Sequence, residues 1–229
     1  ILGGDLHAPY QSALLEALTR RIQAAGRAVM VINTAGNEAD SRAALHQTLN
    51  YRASATIVLS GAPPVSLVRI CIESGQHVIL VNRQGQIEEA DHINLDHESA
   101  MNDAWHMLAR AGCRSFAIVS STNNSPSLLA RERLFSAAAV KAGFEPPPVI
   151  KTGATSYRSG AEAARLLLPG AARPDAVFCV TDLLACGFMD IARQDFGMSI
   201  PQDICVLGFD DIEQAGWDGY ALTTFRQPI

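Results

Sequence analysis

Apolar runs of strand length alternate with helix-like segments along nearly the whole chain. The runs are continuously apolar, as in HVILV at 77–81 and DAVFCV at 175–180. Such runs are typical of strands buried on both faces, as in a parallel sheet covered by helices. The other predicted strands span 28–32, 55–59, 92–95, 115–120, 147–150 and 203–209. The pattern predicts an α/β fold built on parallel sheets.

The segments between the runs carry the spacing of amphipathic helices. Residues 9–26, 96–112 and 125–143 each end on glycine, the residue that most often terminates a helix in a left-handed conformation. In the first segment, Leu14, Leu18 and Ile22 share one face. Ser125 or Ser127 is the predicted N-cap of the third segment.

The strands and helices form two series of similar size, which predicts two lobes that each hold a parallel sheet. We place the first lobe at 1–111, the second at 112–225 and a crossing between lobes at 226–229. Ile1 and Leu2 look like the tail of a strand, and LTTFRQPI at the other end looks like a strand that should return to another element. We therefore expect a fragment of a longer protein.

Composition excludes several classes of function for this stretch of chain. The net charge is −5 with no dense cluster of Lys and Arg, so the electrostatic footprint of a nucleic-acid binder is lacking. No apolar run has membrane-spanning length, and the first residues do not resemble a signal peptide. The five cysteines are scattered, which is typical of reduced thiols in a cytoplasmic protein rather than of a metal site.

Polar residues follow the ends of the predicted strands. Ligands of parallel α/β sheets bind beyond the carboxyl ends of the strands, where side chains and helix N-termini converge. The residues at these places are rich in hydroxyl and carboxylate groups: Ala8, Pro9, Ser99, Ser125, Ser127, Arg131, Thr155, Asp182 and Asp210. This set suits hydrogen bonding to a neutral polyhydroxylated molecule, and no glycine-rich loop is present to hold a phosphate.

Several of these residues have a purely structural alternative. Asp182 could serve only to cap the helix that it precedes. Arg131 belongs to the run Arg131, Glu132, Arg133, which could be a solvated charged surface. The consecutive acids Asp210 and Asp211 point to opposite sides of an extended segment, which argues against a catalytic pair. With no nucleophile elbow, Walker loop or dinucleotide turn, the sequence predicts a binding protein without catalytic residues, cofactor or metal.

The chain resembles the effector-binding region of the lactose/galactose repressor family of bacterial transcription regulators. The most specific stretch runs from DAVFCVTD at 175–182 through DICVLGFDD at 203–211 to LTTFRQP at 222–228. Further similar stretches are LHAPYQSALLEAL, VILVNR, INLDHESA and SPSLLARERLFSAA, so the resemblance covers essentially the whole chain.

The resemblance implies a pocket between the two lobes. Residues at the places of Arg131 and Asp210 hold the effector from opposite sides in such proteins. Ala8, Pro9, Ser125 and Ser127 line the pocket, and Gln227 lies where the chain crosses between lobes. The place of Thr155 often holds an aromatic residue that stacks on the ligand; Tyr157 is a possible substitute. Thr181 stands where the family usually has Asn.

The resemblance also implies the partners of this region. A helix-turn-helix preceding it would bind operator DNA, and the protein would be a cytoplasmic homodimer that responds to a sugar-like effector without entering a membrane. Reorientation of the lobes on binding would alter the spacing of the paired DNA-binding heads. The alternatives are a transport-type sugar-binding protein of the same architecture and an enzyme that uses the Asp210 and Asp211 pair with Asp96 or Asp182.

Overall fold

The computed structural model describes residues 1–4, 6–34, 38–59, 64–82, 87–123, 125–170 and 172–229. The chain divides into two compact units. The first unit comprises residues 1–95 together with Ile229, and the second comprises residues 96–228.

The first unit is a parallel sheet with helices. Its strands are β1 (Leu2–Gly3), β2 (Ile32–Asn33), β3 (Ala55–Val58), β4 (His77–Val81) and β5 (Asp91–Ile93), in the order β2-β1-β3-β4-β5. Its helices are α1 (Pro9–Ala24), α2 (Glu38–Asn50) and α3 (Val65–Glu73). The core is small and aliphatic, with Leu2, Leu45 and Val68 completely inaccessible to solvent. Helix α1 buries none of its residues fully, so its predicted apolar face is only half-buried.

The second unit repeats the pattern with a larger core. Its strands are β6 (Phe116–Ser120), β7 (Val149–Lys151), β8 (Ala176–Cys179) and β9 (Cys205–Leu207), all paired in parallel in the order β7-β6-β8-β9. Its helices are α4 (His97–Arg110), α5 (Pro126–Lys141), α6 (Tyr157–Leu167) and α7 (Asp182–Gln194), followed by a short 3-10 helix at Glu213–Gly216. Aromatic rings fill its centre, where Phe135 stacks on Phe178 with ring centroids 4.8 Å apart.

The predicted parallel α/β architecture is confirmed in both units. Gly26, Gly112 and Gly143 have φ angles of 71°, 90° and 87°, so each terminates its helix in the left-handed conformation that glycine adopts without strain. The strand prediction at 28–32 is wrong for residues 28–31. Strand β2 pairs with β1 at two positions, Leu2 with Ile32 and Gly3 with Asn33, and residues 28–31 form no strand.

Helix α4 packs with the second unit, although the sequence-based boundary lies after it, at 111/112. Met101, Trp105 and Leu108 are buried in the core of the second unit, and the Trp105 ring lies 4.4 Å from that of Phe116. The apolar face of α4 therefore sets the division at 95/96.

Helices α6 and α7 approach each other closely through glycine. A Cβ atom on Gly187 of α7 would lie 1.9 Å from the Tyr157 carbonyl oxygen of α6, and one on Gly160 would lie 2.0 Å from the Leu184 carbonyl oxygen. Only glycine fits at both points. Because these contacts set the position of α7, they also set the position of Asp182 at its first turn.

Candidate binding site

The carboxyl ends of β6, β8 and β9 bring a group of polar residues together within the second unit. Arg131 comes from α5, whose N-cap is Ser125; the Ser125 hydroxyl accepts a hydrogen bond from the Leu128 backbone amide. The spacing of Leu128, Arg131 and Phe135 puts the three on one buried face of the helix. Arg131 is therefore an interior residue, 3% exposed, and not part of a solvated charged surface.

The Arg131 guanidinium is fixed from three sides. One of its nitrogens donates to the Val180 carbonyl oxygen at 2.8 Å and to Asp210 Oδ1 at 3.2 Å. Its central carbon lies 3.7 Å from the centroid of the Phe209 ring. A cation over an aromatic face, with a carboxylate beside it, is compensated for much of the hydration that it loses on burial.

The two consecutive acids have different partners. Asp210 Oδ1 accepts hydrogen bonds from Arg131 and from the Gln227 side-chain amide, whereas Asp211 Oδ2 accepts one from Arg226 Nε at 2.6 Å. This agrees with the predicted divergence of the two side chains. The φ angles of Asp210 and Asp211 are 127° and 57°, values that non-glycine residues rarely adopt. Such strain persists only where the surrounding structure fixes it, and it is common at binding sites.

The chain beyond the 3-10 helix runs parallel to the end of β9 and fixes this turn. The Gly208 amide donates to the Thr223 carbonyl oxygen and the Asp210 amide donates to that of Phe225, both at 2.9 Å. The rings of Phe209 and Phe225 stack with their centroids 5.8 Å apart. Gln227, 4% exposed, is thereby placed beside Asp210.

Asp182 is completely inaccessible to solvent, and both of its carboxylate oxygens are bonded within the protein. Oδ1 accepts from the Thr224 hydroxyl at 2.6 Å and Oδ2 accepts from the Ile212 amide at 3.0 Å. Burial raises the pKa of this carboxyl group, while the hydrogen bond from Thr224 opposes the rise. A Cβ atom on Gly208 would lie 2.1 Å from Asp182 Oδ1, so glycine is required there. Asp182 holds the segments on either side of the Asp210 turn, and the helix N-cap itself is Thr181. This geometry favours a positioning role over contact with a ligand.

Within the described ranges, some buried polar atoms beside this cluster are donors or acceptors that remain unpaired. Among the described residues, the Ser120 and Thr181 hydroxyls and Gln227 Oε1 have no hydrogen-bond partner. Ser120 ends β6, and Thr181 follows β8 directly after the carbonyl that Arg131 contacts. Buried polar groups are normally paired, so unpaired ones at the end of a parallel sheet indicate a place for a polar ligand.

The other predicted site residues lie in several places. Ser127 is half-buried in the first turn of α5, and Thr155 is half-buried before α6. Ser99 is exposed on α4, where its amide donates to the N-cap Asp96. Ala8 and Pro9 belong to the first unit, as the N-cap and first residue of α1. The Tyr157 hydroxyl donates to Asp190 Oδ2 at 2.6 Å, as does Tyr220 at 2.8 Å, so Tyr157 is engaged on the outer part of α7.

Three residues that contribute to this geometry were not among the predicted site residues. The Phe209 ring lies against the Arg131 guanidinium, and the Val180 backbone carbonyl accepts a hydrogen bond from Arg131. The Thr224 hydroxyl donates a hydrogen bond to Asp182. The signal for Phe209 and Thr224 was present in the GFDD and LTT motifs. A carbonyl acceptor such as that of Val180 has no sequence signal.

Asp210 makes the stability of the second unit depend on pH. Burial raises the pKa of its carboxyl group from 3.8 to about 7, and the opposing effect of Arg131 does not offset it. A carboxyl group with a higher pKa in the folded state binds more protons there than in the unfolded chain, so its contribution to stability falls as pH rises between these two values. We expect the free energy of unfolding of the wild type, relative to Asp210→Asn, to fall by up to about 4 kcal/mol across that window.

Urea denaturation of the two proteins at intervals from pH 4.5 to 8 measures this difference. His97, whose pKa burial lowers to about 4, titrates in both proteins and cancels in the comparison. If the free energy of unfolding of the wild type, relative to Asp210→Asn, stays constant or rises with pH, the expectation is contradicted.

The comparisons with known proteins agree with this architecture. The family model of the periplasmic binding protein-like domain matches residues 105–229, and the chain belongs to this family. The curated relatives that it resembles are HTH-type transcriptional regulators, and the solved structures that it resembles include LacI-family regulators.

The relatives match along nearly the whole chain. The HTH-type transcriptional regulator AscG of Escherichia coli K12 is 25% identical over 225 residues, which cover 97% of this chain and 67% of AscG. The HTH-type transcriptional repressor PurR of Salmonella arizonae is 25% identical over 232 residues, covering 100% of this chain and 67% of PurR. The structure of a LacI-family regulator from Lactobacillus casei with bound glucose is 26% identical, with a TM-score of 0.87 over 99% of this chain and 86% of that one. The structure of a LacI-family regulator from Lactobacillus casei with bound sucrose is also 26% identical, with a TM-score of 0.86 over 99% of this chain and 84% of that one.

Proposed function

We propose that the second unit contributes the polar half of a site for a small, neutral, polyhydroxylated effector, a sugar or sugar derivative. The observation that carries the proposal is the buried group of Arg131, Asp210 and Gln227 beside the unpaired Ser120 and Thr181 hydroxyls. Each hydroxyl group of such a ligand both donates and accepts, so one molecule can satisfy carboxylate, amide and hydroxyl partners together.

The charge at the site favours a neutral ligand over an anion. Arg131 already lies beside Asp210, and Asp182 lies within electrostatic range of Asp210. An added anion would meet these carboxylates in a buried setting where charge repulsion is poorly screened. The glucose and sucrose bound by the Lactobacillus casei regulator are neutral polyhydroxylated molecules, which supports the same class of ligand here.

The remaining roles follow from the family. We propose that Ser125, Ser127 and Thr155 line the site, and that Ala8, Pro9 and Ser99 also take part in effector binding. We further propose that the protein is a cytoplasmic homodimer, that it binds operator DNA through a helix-turn-helix outside this chain, and that it leaves its effector chemically unchanged. In the part of the chain that the structure describes, no helix is long and apolar enough to cross a membrane. The relatives are regulators, which favours this role over that of a transport protein.

A thermal-shift panel of sugars, polyols, sugar acids and nucleosides tests the class of ligand. A ligand at 100 times its Kd stabilises the folded state by about 2.7 kcal/mol, so we expect at least one neutral sugar or polyol to raise Tm by about 5–10 °C. Asp210→Ala should abolish the rise. The matched control Asp211→Ala removes the same charge one residue away, where the partner is the exposed Arg226, and should retain it.

Two outcomes would contradict the proposal. One is a stabilising ligand whose effect survives in Asp210→Ala. The other is a panel in which only anionic compounds raise Tm. Recovery of the ligand in altered form, with turnover lost in Asp210→Asn, would favour the enzyme alternative instead.

A further inference from the structure

Two cysteines meet at the end of the second unit's sheet that lies opposite the binding site. Cys113 lies in the turn between α4 and β6, and Cys205 is the first residue of β9. Strand β8 separates β6 from β9, with Ala176 level with both Phe116 and Cys205. The chain before β6 therefore passes the start of β9.

Asp175 contacts both cysteines through its backbone carbonyl. Its carbonyl oxygen accepts a hydrogen bond from the Cys205 amide at 2.8 Å and one from the Cys113 thiol at 3.9 Å. Its carboxylate Oδ2 accepts from the Arg114 and Ser115 amides at 2.8 and 3.0 Å, which fixes the backbone next to Cys113. After burial, the neighbouring Cys205 thiol is the next cause that raises the pKa of Cys113, and the Cys205 thiol itself donates to the Pro201 carbonyl oxygen at 3.8 Å.

The surroundings of this thiol pair distinguish it from the other cysteines. Cys205 is partly exposed, whereas Cys71, Cys113, Cys179 and Cys186 are buried. Of the five cysteines, Cys205 is therefore the one that we expect a reagent to reach first. Among the described residues no group of three or more His, Cys, Asp or Glu side chains could hold a metal ion, so two sulfurs alone fall short of a structural zinc site.

We propose that Cys113 and Cys205 form an intramolecular disulfide when the protein meets a hydroperoxide. The partly exposed Cys205, as thiolate, attacks one peroxide oxygen; the O–O bond breaks, Cys205 becomes a sulfenic acid, and the released hydroxide takes up a proton. The Cys113 sulfur then attacks the Cys205 sulfur, an S–S bond forms, the S–O bond breaks, and the departing hydroxide leaves as water with the proton of Cys113. Two thiols are oxidised by two electrons, and hydrogen peroxide is reduced to two molecules of water.

The second step depends on deprotonation of a buried group. Burial is the main cause that raises the pKa of Cys113 to about 12, so this thiol is largely neutral at pH 7. Since the thiolate is the better nucleophile, the disulfide should form faster at pH 9 than at pH 7.

The disulfide would act on stability rather than on ligand binding. It would close a loop of about 90 residues between the two positions and so restrict the unfolded chain, with a rise in Tm on the order of 5–10 °C. The effector residues lie at the carboxyl ends of the strands and the thiol pair at the amino ends, so ligand affinity should change less than twofold.

Peptide mapping after treatment with hydrogen peroxide tests the proposal. After unreacted thiols are alkylated, trypsin would release Cys113 in the peptide 111–114 and Cys205 in the peptide 194–226, whereas Cys179 and Cys186 share the peptide 166–193. We expect a disulfide that links peptide 111–114 to peptide 194–226 and that dithiothreitol reduces. Peptide 166–193 should be alkylated at both of its cysteines. Cys205→Ser should abolish the link, and Cys71→Ser, the matched control, should retain it.

The outcomes separate clearly. The linked peptide, together with the rise in Tm that dithiothreitol reverses, supports the proposal. Peroxide treatment that leaves both peptides alkylated, that oxidises Cys205 only to sulfinic acid, or that links another pair of cysteines would overturn it. The linked peptide and the rise in Tm are measured in the wild-type protein, so misfolding of a variant cannot obscure them. The result does not depend on the identity of the effector.

Discussion

Arg131→Met is expected to weaken effector binding by at least about 100-fold. The side chain is 3% exposed and is held by Val180, Asp210 and the face of Phe209, so it is already oriented for a ligand. Hydrogen bonds to a charged group contribute about 1.5–3 kcal/mol each, and loss of two corresponds to about 3 kcal/mol or more. Titration calorimetry with the sugar that stabilises the wild type measures the change.

Arg133→Met is the matched control for this variant. Arg133 lies two residues further along α5 on its exposed face, so the same substitution there should leave the Kd within about twofold. Arg131→Met should also lower the free energy of unfolding by about 3 kcal/mol, because it leaves Asp210 buried without its cation. Protonation of Asp210, whose pKa is already about 7, limits this cost. If the folded Arg131→Met protein binds the sugar with unchanged affinity, the proposed site in the second unit is wrong.

Gly187→Ala is expected to lower the free energy of unfolding by about 3 kcal/mol or more, with a fall in Tm of about 6–12 °C. Helix propensity alone would favour alanine by about 1 kcal/mol in the interior of α7. The new Cβ atom, however, would lie 1.9 Å from the Tyr157 carbonyl oxygen, and backbone atoms cannot move aside without separating α6 from α7. The steric effect therefore outweighs the propensity.

Gly219→Ala provides the comparison for this variant. An added Cβ atom there meets nothing within 4 Å, so its effect on stability should stay within about 0.5 kcal/mol. Thermal denaturation of the two variants beside the wild type separates the local packing effect from the general effect of losing a glycine. A Gly187→Ala protein as stable as the wild type would mean that the close approach of the helices is not needed.

The fold was largely predictable because its signals are local. Continuous apolar runs such as HVILV, which forms β4 at residues 77–81, and glycines at the ends of α1, α4 and α5 require no knowledge of distant contacts. Strand β2 was overestimated because the length of a strand also depends on its pairing with a neighbour, and β2 pairs with β1 at two positions. The packing of α4 was not predictable because the aromatic partners of Trp105, such as Phe116, are distant in the sequence and meet it only in the folded core.

Arg131, Asp182, Asp210 and Gln227 were predicted as site residues and lie together in the second unit, but their hydrogen-bond partners were not predictable from the sequence. The sequence left open whether Arg131 was a ligand residue or part of a charged surface, although the spacing of Leu128, Arg131 and Phe135 already placed it on an apolar face. It could not separate Asp182 from Asp210, because both acids follow buried strands. Only the folded structure shows that Asp182 has both oxygens occupied while Asp210 lies beside Arg131 and Gln227.

Some polar residues at this site have hydrogen-bond partners within the described part of the protein and others do not. The first group is constrained by its partners, and the second is free to be substituted. Asp182 depends on Gly208 and Thr224, and Asp210 on Arg131 and Gln227, so each of these positions is tied to a partner that would have to change with it. Thr181 and Ser120 carry hydroxyls with no hydrogen-bond partner among the described residues. We therefore expect single substitutions at Thr181 and Ser120 to change effector preference at little cost to the fold, whereas a change at either acid or at Arg131 should require a matching change at its partner.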